Sequence, residues 1–351
     1  MMNNEALTYD DVLLQPQYSE IRSRTEINIG TDLGHGLSLE MPIFSSPMDT
    51  VTGGHMASSI YKLGGAGIIH RYNSIEEQVL EVVKAYEHSV NSISPVLGAA
   101  IGISGDYLER ATALLSAGVD FLCLDVAHGH HIMMKEALEK LREIASDFHI
   151  MAGNVASVRG IINLHQWGAD SIRVGVGSGS ICSTRIKTGH GVPTLEVLLR
   201  AKENIYCMQN RPVLIADGGL RTSGDIVKAI AAGANYVMLG SLLAGTDQAP
   251  GSKIKIGNQQ FKTYRGMASP EAQTAWRGSY SSNEGISTTI PYKGCVMRVI
   301  DELDRGIRSG FSYSGAENTS ELQEAAVFRN VTVGGIAESS THILGLKDVI
   351  G

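Results

Sequence analysis

Pro212-Val-Leu-Ile-Ala-Asp-Gly-Gly-Leu-Arg-Thr-Ser-Gly-Asp-Ile-Val-Lys-Ala-Ile-Ala-Ala-Gly-Ala-Asn-Tyr-Val-Met-Leu-Gly-Ser241 reads as one strand–helix–strand unit. Residues 212–217 and 236–241 are continuous apolar runs, as strands buried on both faces should be. Between them, 223–233 spaces its apolar residues three and four apart, which is helical. Gly233 follows as a C-cap. Each strand ends in glycine and a polar side chain, Asp217-Gly-Gly219 and Gly240-Ser241. Glycine N–H groups and a serine hydroxyl there suit an anion such as phosphate.

The unit recurs upstream. Apolar runs stand at Pro42-Ile-Phe-Ser-Ser46, Gly65-Ala-Gly-Ile-Ile-His70 and Pro95-Val-Leu-Gly-Ala-Ala-Ile101. Three more are Phe121-Leu-Cys-Leu-Asp-Val-Ala127, His149-Ile-Met-Ala-Gly-Asn-Val155 and Ser171-Ile-Arg-Val-Gly-Val176. Helical spacing separates them at 75–86, 107–117, 132–145, 158–168 and 193–201. Ser74 is a candidate N-cap for the first, with Gln78 poorly placed to complete a capping box. Eight strands alternating with helices predict a (β/α)8 TIM barrel, with an open doubly wound sheet as the alternative. The count of eight and the glycines after the last two strands favour the barrel. Residues 1–40 form an extension of short turns and strands. A barrel carries its chemistry at the C-terminal strand ends. Ser45-Ser46-Pro-Met48-Asp49, His70-Arg71, Asp125, Asn154, Asp217 and Ser241 gather there.

With 43% hydrophobic and 19% charged residues, the 351-residue chain has an ordinary globular composition. A net charge of −7 argues against a general nucleic-acid binder. Cys123, Cys182, Cys207 and Cys295 show no metal-type spacing. No signal-like leader or membrane-length apolar run is visible, so a soluble cytoplasmic protein is expected. His128, His130 and His131 invite a metal, but no acidic residue stands at zinc-like spacing.

Before the seventh strand lies Val174-Gly-Val-Gly-Ser-Gly-Ser-Ile-Cys-Ser-Thr-Arg-Ile-Lys-Thr-Gly-His-Gly-Val-Pro193. Its glycines, Gly175, Gly177, Gly179, Gly189 and Gly191, predict a loop that is neither helix nor sheet. Cys182 sits among Ser180, Ser183, Thr184 and Arg185. A nearby cation and backbone N–H groups would favour a thiolate, making Cys182 a candidate nucleophile, with an inert loop cysteine as the alternative.

This loop resembles the active-site loop of the IMP dehydrogenase/GMP reductase family. The resemblance extends to Leu7-Thr-Tyr-Asp-Asp-Val-Leu-Leu14, Ser45-Ser-Pro-Met-Asp-Thr-Val51, Asp125-Val-Ala-His-Gly-His130, Met151-Ala-Gly-Asn-Val155, Asp217-Gly-Gly219 and Met238-Leu-Gly-Ser241. It implies a purine mononucleotide, GMP or IMP, with Ser180, Gly219, Gly240, Ser241 and Tyr264 at its phosphate. Asp217 would meet the ribose and Met267 the base. Cys182 would add to C2 of the purine, Asp125 and Asn154 would lie by a nicotinamide, and Thr184 would pair with Glu284 on a flap. A monovalent cation such as K⁺ at Gly177, Gly179 and Cys182, and a homotetramer, are further implications.

The segment after His70 is too short for the regulatory (CBS) insertion of many dehydrogenases, which implies a single catalytic domain over 1–351. The mobile flap is expected over 262–294. It includes Gly266-Met-Ala-Ser-Pro-Glu-Ala-Gln-Thr-Ala-Trp-Arg-Gly-Ser-Tyr-Ser-Ser-Asn-Glu-Gly285 and lacks the Arg-Tyr pair with which dehydrogenases activate water. Arg277 and Tyr280 are separated by Gly278-Ser279. The flap's length, Arg185-Ile-Lys-Thr-Gly189 and Phe311-Ser-Tyr-Ser-Gly-Ala316 also resemble the reductase branch. Ser281 and Asn283 depart from that branch. The N-terminal half and Gly335-Ile-Ala-Glu-Ser-Ser-Thr-His342 resemble the dehydrogenases. The resemblance thus implies NADPH-dependent deamination of GMP. The alternatives are an NAD-dependent IMP dehydrogenase and a catalytically silent nucleotide-binding protein.

Overall fold

A computed structural model of the chain describes residues 5–88, 96–205 and 208–339. Pro95, Cys207 and residues 340–342 lie outside the described residues. Eight parallel strands close into a barrel, as the apolar runs predict. They are β1 (Ile43–Ser45), β2 (Ala66–Ile69), β3 (Leu97–Ile101), β4 (Phe121–Asp125), β5 (His149–Val155), β6 (Ser171–Val174), β7 (Val213–Asp217) and β8 (Tyr236–Leu239). β8 pairs with β1 in parallel, which excludes the open sheet.

Helices follow the strands: α1 (Gly54–Lys62), α2 (Ile75–Glu87), α3 (Tyr107–Ser116), α4 (Ile132–Ile144), α5 (Val158–Gln166), α6 (Thr194–Ile205), α7 (Ser223–Ala231) and α8 (Val296–Tyr313). α1 and α8 are not among the helices that the spacing of apolar residues predicts. α8 buries Val296, Ile300, Leu303, Ile307 and Phe311 along one face. Gly306 and Gly310 let it approach α7 closely. A Cβ there would lie 2.1 Å from the Ser223 hydroxyl and 2.6 Å from Val227. The capping box of α2 is also corrected. Glu77, not Gln78, answers Ser74, accepting from its N–H at 2.9 Å and donating its own N–H to Ser74 Oγ at 3.1 Å. Gln78 is buried, donating to the Ala100 carbonyl at 2.8 Å and accepting from Arg110 at 2.8 Å.

Two apolar layers result. One lies between strands and helices. The other fills the barrel interior with Phe44, Ile68, Phe121, Met151, Ile215 and Tyr236. The N-terminal extension takes part in both. Its Val12–Leu14 strand pairs antiparallel with Phe328–Asn330. Its hairpin, Thr31–Gly34 with Leu37–Leu39, inserts Leu33 and Leu39 into the interior layer from below. The hairpin thus covers the floor of the barrel interior, opposite the C-terminal mouth. Among the described residues no helix is long and apolar enough to cross a membrane.

Candidate active site

The C-terminal mouth holds a cavity of about 770 Å³, within the range of small-molecule sites. Every residue assigned to catalysis, nucleotide or cofactor by resemblance lines it: Asp125, Asn154, Ser180, Cys182, Thr184, Asp217, Gly219, Gly240, Ser241, Tyr264, Met267 and Glu284.

Cys182 lies on the loop after β6. That loop is more ordered than its glycines suggest. Residues Thr184–Thr188 form a short helix, and Val176 bridges Val192. Gly177 and Gly189 take left-handed backbone, with φ +80° and +71°. Cys182 bridges Gly285 of the flap, Ser183 N–H donates to the Glu284 carbonyl at 2.9 Å, and Ile286 N–H donates to Ile181 O at 3.1 Å. These bonds tie the flap to the cysteine loop through a single antiparallel bridge. Local geometry then aligns three side chains. The Cys182 thiol donates to Thr184 Oγ1 at 3.2 Å, and that hydroxyl donates to Glu284 Oε2 at 2.8 Å. The nearby cation expected at the thiol is elsewhere. Arg185 packs on Gly177 and Gly191 and donates to Ser178 Oγ at 3.4 Å. The Gly179 carbonyl, one of the oxygens considered for a cation, accepts the Cys182 N–H at 3.1 Å.

Across the cavity the organising group is Arg173, which the sequence reading passes over. It is 5% exposed. Its Nη1 donates to Asp125 Oδ1 at 2.5 Å, while Nη2 and Nε donate to Asp217 Oδ2 at 2.8 and 3.2 Å. Burial alone would depress the guanidinium pKa, but the two carboxylates outweigh it and raise it. Asn154 Nδ2 also donates to Asp217 Oδ2, at 2.8 Å. The β5–β6 register shifts between Gly153 and Val155, and such irregularities re-aim side chains beside sites. One arginine therefore ties together the residues that resemblance divides between ribose and nicotinamide. The available signal was a charge within the apolar run Ser171-Ile-Arg-Val.

The third wall meets the last strands. Ser180 Oγ and Tyr264 Oη are 3.3 Å apart, and burial raises the Tyr264 pKa. A Cβ on Gly240 would lie 3.1 Å from that phenol. Lys293 donates to the carbonyls of Ser241 and Leu242, fixing the turn after β8. Met267 Sδ accepts the Asp49 N–H at 3.3 Å. Asp49 accepts twice from Arg265, at 2.5 and 2.8 Å. Buried atoms in this region lack partners, among them Asp49 Oδ1, Arg71 Nε, Asn73 Oδ1 and Asn154 Oδ1. Unpaired buried polar atoms are rare in folded proteins, and two of these residues, Arg71 and Asn154, line the cavity.

The flap helix Pro270–Arg277 closes the rim. Trp276 stacks on Tyr72 with centroids 4.3 Å apart, and Arg71 lies 5.3 Å from the Tyr72 centroid and 5.6 Å from that of Trp276. Buried Gln273 is a second residue absent from the sequence reading. It donates to Ser282 O at 2.8 Å and accepts from Arg277 at 2.7 Å. Tyr280 is exposed. Two of the three histidines of the β4–α4 loop are engaged locally: His131 caps α4 and His130 pairs with Asn163 at 2.9 Å.

A family model described as IMP dehydrogenase / GMP reductase domain matches residues 6–342. The chain belongs to the IMP dehydrogenase/GMP reductase family. This family comprises purine-nucleotide oxidoreductases that use a nicotinamide cofactor. An inosine-5'-monophosphate dehydrogenase of Cryptosporidium parvum is 37% identical, covering 96% of this chain and 95% of its own. One of Nitrosopumilus maritimus is 32% identical, with 96% and 98% covered. That alignment spans 469 positions, more than this chain's length, so the relative carries residues without counterpart here. Among solved structures, a cysteine-to-alanine variant of GMP reductase from Trypanosoma brucei, in complex with guanosine 5'-monophosphate, superposes with a TM-score of 0.90. It is 30% identical, with 97% of this chain and 98% of that chain covered.

Proposed function

We propose that this family member is a GMP reductase that converts GMP to IMP and ammonia with NADPH. The observation carrying this reading is the flap. It supplies Glu284 to the Cys182–Thr184 pair and contains no arginine–tyrosine base for water. Arg277 is held by Gln273, Ser279 and Ser281 within the flap, and Tyr280 points to solvent.

In this reading the purine enters with its phosphate between Ser180, Gly219, Gly240, Ser241 and Tyr264. Asp217 accepts from the ribose hydroxyls, and Met267 lies against the base. The Cys182 thiol passes its proton through Thr184 to Glu284 as sulfur bonds to C2. Glu284 and Thr184 then return a proton to the C2 amine, which leaves as ammonia, and a thioimidate remains on Cys182. A bound nicotinamide cofactor would supply the hydride that replaces the C–S bond. Asp125, Asn154 and Arg71, whose Nε lies 3.7 Å from Asp125 Oδ2, would hold that cofactor. The reaction balances as GMP, NADPH and a proton giving IMP, NADP⁺ and ammonia. The reading further includes a mobile flap over 262–294, a cytoplasmic homotetramer, and K⁺ as a candidate ligand of the Gly177, Gly179 and Cys182 carbonyls.

A second reading, NAD-dependent IMP dehydrogenase, is favoured by the names of the curated relatives. Both readings need Cys182. Cys182→Ala should abolish turnover while GMP still binds, as measured by calorimetry. Persisting turnover would reject the covalent route.

A further inference from the structure

The barrel floor, opposite the cavity, carries side chains that the purine chemistry does not use. The turn of the hairpin that plugs the interior holds His35 at φ +54°. There His35 meets His149, the first residue of β5, and Asp170, which immediately precedes β6. One ligand-capable atom from each lies within 4.8 Å of the other two.

Three details set this cluster apart from ordinary packing. First, His35 Nδ1 is 3.0 Å from the Asp147 carbonyl oxygen, and Nε2 is 3.1 Å from Asp170 Oδ1. A neutral imidazole has one N–H. Given to the carbonyl, it leaves a lone pair facing a carboxylate, and a proton or a cation must separate them. Second, Asp170 Oδ2 is already held by the Ile150 N–H at 2.7 Å and by Arg142. Arg142 also serves the Gly168 and Phe148 carbonyls, so Oδ1 is the oxygen left for His35. Third, His149 is 1% exposed. Its Nε2 pairs with Ser171 Oγ at 2.8 Å, and its Nδ1 has no partner. Burial holds its pKa down at about 4, leaving the neutral ring that metal ligation requires.

We propose that His35, His149 and Asp170 form a site for a divalent transition ion of the zinc type, pinning the hairpin to the barrel floor. Two imidazoles and a carboxylate are a zinc donor set, and tetrahedral ligation would set donors about 3.3 Å apart, close to the His35–Asp170 separation. The carbonyl bond at His35 Nδ1 is the outer contact that orients metal-bound imidazoles. His35 is exposed, so water has access to a fourth position. His149 and Asp170 stand at the N-terminal ends of their strands and none of the three residues lines the cavity, so the role is structural.

The test uses the full chain, stripped with a chelator and titrated with Co²⁺ as the optical probe, followed by Zn²⁺ competition. One equivalent of Co²⁺ per chain should bind with visible d–d absorption and no thiolate charge-transfer band. Zn²⁺ should displace it and raise the unfolding temperature by several degrees. His35→Asn, which tolerates the left-handed turn, should remove that equivalent and the thermal shift, as should His149→Gln. Cys182→Ala should keep both. If His149→Gln fails to fold, His35→Asn decides. The proposal is overturned if micromolar metal does not bind, if His35→Asn binds as before, or if Cys182→Ala loses the signal.

Discussion

Replacing Arg173 with methionine should unfold the cavity wall from beneath. The side chain makes three hydrogen bonds to Asp125 and Asp217, and both carboxylates are mostly buried. At about 1.5–3 kcal/mol for each bond to a charged group, the gross loss would be roughly 5–9 kcal/mol. Asp217 keeps Asn154, Asp125 keeps Arg71 at 3.7 Å, and water can enter from the cavity. The net cost should therefore fall to about 3–5 kcal/mol, the usual result of breaking a buried pair from one side. Urea unfolding at constant slope should show a midpoint lowered by roughly 1 M or more. Arg173→Lys should recover only part, because a point charge cannot fork between two acids. Combining Arg173→Met with Asp125→Asn and Asp217→Asn should cost less than Arg173→Met alone, since no unpaired charge remains. A cost below about 1 kcal/mol for Arg173→Met would refute this reasoning, as would a triple variant weaker than the single.

Glu284→Gln should lower kcat by about 10²–10⁴-fold while GMP binding changes little; undiminished kcat would remove Glu284 from the proton relay. Trp276→Ala forfeits a stacked pair worth about 0.5–1.5 kcal/mol. Limited proteolysis within 266–285 should then speed up by roughly 2- to 12-fold, and an unchanged rate would mean the stack does not hold the flap. His70 is half-buried, and the desolvation of its ring lowers its pKa. Its folded pKa lies below the unfolded value, so its contribution is complete above about pH 6.5 and is lost as pH falls through the folded value. His70→Gln should flatten the stability profile below about pH 6.5; a profile as steep as the parent's would assign the acid sensitivity to another group.

The barrel was legible because strands buried on both faces leave continuous apolar runs. All eight appear within a residue or two of their predicted positions. α1 was hidden by Gly53 and Gly54 at its start. α8 does carry a helical apolar period, but Gly306 and Gly310, needed for its approach to α7, imitate loop composition. The hairpin's role as a floor was unreadable, since nothing local shows that Leu33 and Leu39 enter the barrel interior. At the site, the motifs pointed to residues that line one cavity, but their connections were three-dimensional. Glu284 reads alone as a loop acid, and only the bridge between flap and cysteine loop delivers it to Thr184. Arg173 was visible as a charge in an apolar strand, yet its two partners lie 48 and 44 residues away in sequence.

The most direct test of the central claim is nicotinamide absorbance in paired reactions, GMP with NADPH and IMP with NAD⁺, with ammonia assayed in parallel. The account predicts that GMP consumes NADPH, that one ammonia appears for each NADPH oxidised, and that IMP with NAD⁺ is silent. NADH produced from IMP, with no oxidation of NADPH by GMP, would contradict it and make the chain a dehydrogenase whose water-activating base lies outside the usual pair.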